Sequence, residues 1–170
     1  MNIIIRQEKT EDYKAVEAVV RQAFANVEIS DQTEHQLVAR LRDSDAYIPE
    51  LSLVAFIGVE VVGHIMFSKA IIGQSETLAL APVSVLPEYQ NKGIGTALIT
   101  EGLDRAKALG FASAIVLGHP GYYPKFGFKK ASLWGIKAPW DVPDEVFMAI
   151  ELKPESLKGV SGIFSYSSEF

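Results

Sequence analysis

The sequence predicts a single α/β domain built on a central mixed β-sheet flanked by helices. Three observations predict it. Residues 78–85 form an apolar run that ends in a polar turn with two glycines, after which Ala97, Leu98, Leu103, Ala106 and Leu109 recur at helical spacing. A second apolar run at residues 112–117 follows, so the segment reads as a βαβ unit with a parallel strand pair. Before it, residues 51–57 and 61–72 are β-rich runs joined by Gly58-Val59-Glu60, an antiparallel hairpin. A chain of 170 residues without a linker, repeat or low-complexity stretch fits one domain over residues 1–170.

The elements follow in order. Residues 2–6 are a β-branched run and open the sheet. Thr10 is a good N-cap, with Glu11 and Asp12 in the first turn; Tyr13, Val16, Val20, Ala23 and Phe24 then predict a helix ending near Ala25. Residues 26–31 connect it to Thr33-Glu34-His35-Gln36, a capping-box pattern, and Leu37, Val38 and Leu41 make a second helix behind it. Residues 46–50 read as a loop, 73–75 as a turn, and Gly110 as the terminator of the central helix. His64 falls inside the 61–72 run, where a lone histidine is more often a packed or surface residue than a catalyst. After residues 112–117 come a loop at 118–121, a short helix at 122–126 that Gly127 ends, and a strand beginning at Phe128. Residues 132–144 are rich in Pro, Gly and Trp, including Trp134 and Trp140, and fit a loop that covers a substrate. Residues 145–152 predict a strand, and within the tail, 153–170, residues 159–166 carry a weak signal for an added edge strand.

Composition excludes several functions. The net charge of −5 argues against a general nucleic-acid binder, which usually shows a basic patch. With no cysteine there is no disulfide, no thiolate metal site and no acyl-cysteine intermediate, and no metal ligand set is expected. No apolar stretch approaches the roughly 20 residues that span a bilayer, and the first residues are too short an apolar run for a secretory signal. A cytoplasmic protein without nucleic-acid or membrane partners is the expectation.

The glycine turn carries the chemistry. Glycines between a strand and a helix let the backbone approach a bulky anion, and the free N–H groups of the helix start bind it, so the turn reads as a pyrophosphate cradle. A P-loop needs a lysine directly after its last glycine, and here Thr96 follows Gly95. A dinucleotide fingerprint needs a third glycine where Leu98 stands, and an acidic ribose ligand where the next strand ends in Gly118-His119. Both fit poorly. Gln90-Asn91-Lys92-Gly93-Ile94-Gly95 instead matches a Q/R-x-x-G-x-G/A pattern, and Tyr123-Pro124-Lys125-Phe126-Gly127-Phe128 matches Y-x-K/R-x-G-F. With these two motifs and the order of elements around them, residues 2–152 resemble the GNAT superfamily of acyltransferases.

That resemblance implies the GNAT fold and an N-acetyltransferase that uses acetyl-CoA, or another short acyl-CoA, as donor. It implies that the pyrophosphate lies against backbone N–H groups of Gln90, Asn91, Lys92, Gly93, Ile94, Gly95 and Thr96. It implies that the pantetheine arm pairs with the backbone of Val83, Ser84 and Val85, in a slot opened by a splay between that strand and the 112–117 strand; Pro82 fits a local break in the ladder. The Val85 N–H, or a near neighbour, is then the oxyanion donor, and Tyr123 protonates the leaving thiolate. Tyr123 also reads as a packing residue or a hydrogen-bond donor to the sulfur, and Tyr122 as structural or pocket-lining. Without cysteine, direct transfer in a ternary complex is the simplest route. The base that takes the amine's proton is Glu34, His119, Glu76 or water, with Glu34 preferred; at its helix start Glu34 equally reads as a dipole-favoured residue. The acceptor is an amine of a small molecule, peptide or protein, and a homodimer is compatible with the resemblance. The competing reading is a catalytically silent acyl-CoA-binding regulatory module.

Overall fold

The strands are rich in β-branched and other apolar residues, whose side chains point alternately to the two faces of the sheet. The computed structural model describes residues 2–28 and 30–170; Met1, and Ile29 within the connection expected over 26–31, lie outside the described residues. The strands are β1 (Ile3–Gln7), β2 (Tyr47–Ile57), β3 (Glu60–Ile72), β4 (Ser75–Val85), β5 (Ser113–Leu117), β6 (Lys129–Lys130), β7 (Ile136–Lys137), β8 (Phe147–Glu151) and β9 (Gly162–Ser165). The helices are α1 (Tyr13–Phe24), α2 (Glu34–Arg42) and α3 (Ile94–Ala108). The sheet order is β1-β2-β3-β4-β5-β8-β6, with β9 beside β3 and β7. In the main path only β4 and β5 run parallel, as the βαβ reading requires.

The helices occupy both faces. Gly63 of β3 lies under α3: a Cβ there would stand 3.0 Å from Leu98 and 3.1 Å from Ile94. His64, the next residue, points to the opposite face, where α2 supplies Arg42 and α1 supplies Tyr13. The buried stripe of α1 is Val16, Val19 and Val20; that of α3 is Ile94, Leu98, Ile99, Leu103 and Ala106. Full burial of each valine, leucine or isoleucine side chain contributes about 1.5–3 kcal/mol. These stripes form the main core with β1 to β5. A second, smaller core around Ile72, Phe147, Leu157 and Phe164 lies under the C-terminal segment.

Four local expectations are revised. Thr10 opens a 3-10 turn (Thr10–Asp12) and does not cap α1; Asp12 closes the entry instead, accepting the Lys9 N–H at 2.8 Å while paired with Arg6 at 2.7 Å. An ionised carboxylate is a stronger acceptor than a threonine hydroxyl, and the Arg6 guanidinium holds it in place. Thr33 does precede α2, but its hydroxyl donates to Asp31 and caps nothing. Residues 47–50 belong to β2, because Tyr47 pairs with Ser68 and the Ala46 carbonyl accepts the Lys69 N–H at 2.9 Å; a register break before Ser52 hides the alternation. Residues 132–144 are not a structureless loop: they contain β7, which pairs with β9, and Trp140 stacks on Tyr166 with ring centroids 5.6 Å apart. The tail strand, in turn, pairs with Ile71 and Ile72 of β3, on the flank that β2 has left.

Candidate active site

The end of β4 is prepared on both sides. Toward β3, Met66 faces two residues, Ala81 and Pro82, because the register passes from Ile65↔Val83 to Phe67↔Leu80. The ladder break expected at Pro82 is therefore present, on the β3 side. Toward β5, the parallel pairing covers only Leu78↔Ala114 and Ala79↔Ile115, and beyond these residues the strands part. The Leu86 N–H bonds the Val62 carbonyl at 2.9 Å, so in the alternating antiparallel pattern Ser84 bonds His64, while Val83 and Val85 turn their N–H and C=O groups away from β3, into the β4–β5 gap.

The turn that follows holds its shape through two left-handed residues, Asn91 (φ 62°) and Gly93 (φ 87°), and through Gln90, whose Nε2 donates to the Val85 carbonyl at 3.0 Å. Gly93 is the N-cap of α3, no side chain caps it, and the first turn carries no acidic residue. The N–H groups of Ile94, Gly95 and Thr96 are thus the open donors of a helix start, at its positive dipole end. Val85, Gln90, Asn91, Gly93, Ile94, Gly95 and Thr96 line one cleft of about 510 Å³. The remaining expected donor-site residues do not line it. Lys92 is exposed, 6.0 Å from the Tyr89 ring, Val83 is half-buried, and Ser84 is buried with its hydroxyl unpartnered.

Three residues without an assigned donor role complete the cleft: Tyr89, Tyr122 and Lys125. Tyr122 Oη and Thr96 Oγ1 are 3.1 Å apart, and Lys125 Nζ donates to the same Thr96 oxygen at 3.3 Å while lying 4.1 Å from the Tyr122 ring. Lys125 is the basic position of the second motif, so its charge was visible there; its direction was not. Tyr123 sits behind. Its ring fills the place of a Gly118 side chain, where a Cβ would come 2.4 Å from Cε2, and meets Phe128 edge-on at 5.7 Å. Burial, then the neighbouring Tyr122, pushes its hydroxyl up to about 12, so it holds its proton at neutral pH.

None of the three candidate bases lines this cleft. Glu34 accepts from Ser30 Oγ and borders a separate small cavity with Arg21, Phe24 and His35. Glu76 starts β4, about 30 Å of strand from Val85, beside an apolar cavity walled by Ile71 and Tyr166. His119 is exposed, its Nδ1 accepting the Gly121 N–H at 3.0 Å. His64 is packed, as expected of a strand histidine, but in a charged setting. Glu8, also buried, takes two bonds from Arg42, at 3.0 and 2.6 Å, one from Tyr47 at 3.2 Å and one from Ser52 at 3.0 Å. Neither the apolar pattern nor the motifs pair Glu8 with His64, since only the β1–β2–β3 register brings them together. Among the described residues no group of three His, Asp or Glu side chains is placed to hold a metal, and no helix is long and apolar enough to cross a membrane.

Comparison with known proteins finds relatives in sequence and in fold. Residues 14–128 match the model of the Acetyltransferase (GNAT) family. The uncharacterized N-acetyltransferase YjhQ of Escherichia coli is 36% identical over 136 residues, 74% of this chain and 75% of its own. YhbS of the same species, also an uncharacterized N-acetyltransferase, is 31% identical over 99% of this chain and 98% of its own. The crystal structure of E. coli YhbS in complex with CoA superposes with a TM-score of 0.91 at 28% identity, covering 100% of this chain and 92% of that one. A GNAT family acetyltransferase from Brucella melitensis, in complex with acetyl-CoA, gives 0.83 at 35% identity over 99% of this chain and 98% of that one.

Proposed function

The chain belongs to the GNAT family of acetyltransferases, and from that premise we propose that it transfers an acetyl group from acetyl-CoA directly to an amine in a ternary complex. The observation that carries this reading is the β4–β5 gap, edged by the outward N–H groups of Val83 and Val85 and ending at the uncapped start of α3. Similar proteins were crystallised with CoA and with acetyl-CoA, which supports the same donor here.

In this reading the pyrophosphate takes the N–H groups between Asn91 and Thr96, with the Lys125 ammonium beside them. The pantetheine arm adds itself to β4 as a partial strand along Val83 and Val85, in place of the β5 pairing that has stopped. The amine attacks the thioester carbon, and the Val85 N–H stabilises the oxyanion. A C–N bond forms, the C–S bond breaks, the thiolate takes the Tyr123 proton, and a proton shed by the acylated nitrogen restores the tyrosine. The absence of cysteine leaves no thiol for an acyl-enzyme, which favours direct transfer.

The test is thermal unfolding with and without acetyl-CoA, followed by free-thiol release with a panel of amines. Saturation at about 100 times Kd is expected to add about 2.7 kcal/mol. Gly95→Leu is expected to abolish the shift, since a Cβ there already comes 3.4 Å from Tyr122 Oη. No shift overturns the donor site. A shift without thiol release for any amine identifies a non-catalytic acyl-CoA-binding module instead.

A further inference from the structure

His64 is wholly buried in β3, and its two ring nitrogens have different surroundings. Nε2 lies 3.0 Å from Ser52 Oγ and 3.4 Å from Glu8 Oε2. The Ser52 hydroxyl donates its hydrogen to Glu8 Oε1, so toward His64 it accepts. Burial would raise the Glu8 carboxyl, but hydrogen bonds from His64 and Arg42 outweigh it and hold it at about 2; as a carboxylate it only accepts. Both neighbours therefore require the hydrogen on Nε2, which leaves Nδ1 of the neutral ring with a lone pair. Nδ1 is enclosed and has no hydrogen-bond partner among the described residues.

Ser84 Oγ is a second enclosed atom without a partner. Ser84 stands directly opposite His64 in the β3–β4 ladder, so the two side chains share one face of the sheet. Its chain neighbours are Val83 and Val85, whose backbone groups open on the β4–β5 gap. A basic nitrogen and a hydroxyl, both enclosed without a partner and carried on one face of the sheet by directly paired residues, are the kind of polar groups that hold a bound water.

We propose that His64 Nδ1 accepts the proton of the attacking amine through a water held by Ser84 Oγ, and that Glu8 positions the ring for it. This rests on the acetyl-transfer reading above. The amine arrives as an ammonium; one N–H proton passes to the water while the water gives a proton to Nδ1, and the freed lone pair attacks the thioester carbon. As the C–S bond breaks, the thiolate takes the Tyr123 proton, and the second proton of the nitrogen restores the tyrosine. The imidazolium, facing Glu8, finally returns its proton to solvent, so one proton leaves per turnover.

The test variant is His64→Gln, whose amide nitrogen can donate to Glu8 and Ser52 but has no titratable atom. Acetyl-CoA is expected to shift its melting as in the wild type, while thiol release with the best amine of the panel falls about 10²-fold and the acid limb of kcat/KM disappears. The charged and titratable groups facing His64 are Glu8, held at about 2, Arg42 from α2, Tyr47 of β2, pushed upward by burial, and Tyr13 of α1, whose ring lies 3.8 Å from the Arg42 guanidinium. Ser84→Ala is the second variant. Its hydroxyl bonds nothing in the protein, so folding is expected to be intact, with turnover reduced about tenfold and the acid limb retained. Wild-type turnover and an unchanged pH profile in His64→Gln overturn the relay; if that variant does not fold, wild-type turnover in Ser84→Ala overturns it. If the wild-type protein neither shifts with acetyl-CoA nor releases thiol, it is the acetyl-transfer reading that fails.

Discussion

Replacing Glu8 by glutamine tests the buried charge cluster through stability alone, independently of any acceptor. The Glu8 side chain is fully buried and Arg42 is 11% exposed, so the amide leaves a guanidinium without its counter-charge in a region poor in water. Breaking such a pair from one side costs about 3–5 kcal/mol, a large part of the roughly 5–15 kcal/mol that holds a domain together. The carboxyl is lowered from an ordinary 4.5 to about 2, so between those values the unfolded chain binds more protons than the folded one. Its stabilisation is therefore complete above about pH 4.5 and is lost as the pH falls toward 2, a change of about 3 kcal/mol. Urea unfolding of both proteins at a series of pH values reads this directly, with the slope m reporting whether the same surface is exposed. Asp12 is also held low, by Arg6, but it is common to both proteins and drops out of the difference. Parallel pH profiles, or a Glu8→Gln protein within about 1 kcal/mol of wild type at neutral pH, would refute the reasoning.

Other perturbations are equally specific. Gly102→Ala places a Cβ 2.4 Å from Phe67 Cε1, and overpacking of about 1–3 kcal/mol is expected in urea unfolding. Phe164→Ala empties the middle of the second core and is expected to cost about 3–5 kcal/mol, seen as a lowered denaturation midpoint. Tyr123→Phe is expected to lower turnover about 10²-fold with acetyl-CoA affinity unchanged; equal turnover with chemistry rate-limiting rejects the proton donor. Tyr122→Phe removes the contact with Thr96 and is expected to weaken CoA binding by about 0.5–1.5 kcal/mol in calorimetry, leaving the rate at saturation intact.

The sequence was most informative where one residue type answers one local demand. The two glycine motifs, the βαβ order and Gly110 are of that kind; Gly110 donates to the Lys107 carbonyl and Phe111 to that of Ala106, as a helix terminator should. Partnerships across the sheet were harder. Glu8, Ser52 and His64 lie far apart in the chain, and each alone has an ordinary explanation; only strand register joins them. The two adjacent tyrosines show a finer limit. Which hydroxyl faces Thr96 depends on the 3-10 turn at Tyr123–Phe126 and on Gly118 leaving room for the Tyr123 ring. Residues 132–144 read as a loop for a different reason: β7 is only two residues long, and its partner, β9, had only a weak signal of its own.

The contact between Gly102 and Phe67 lies at the middle of α3, about 12 Å along the axis from Ile94. The helix touches β3 with almost nothing between backbone and ring, so it has little freedom to slide or roll. The first-turn N–H groups are therefore aimed by the core and not by the loop that precedes them. Donor affinity in this protein becomes a reporter of packing: a substitution well inside the sheet, touching no ligand, would misdirect those groups and loosen CoA, while changes in exposed Lys92 would leave their aim untouched.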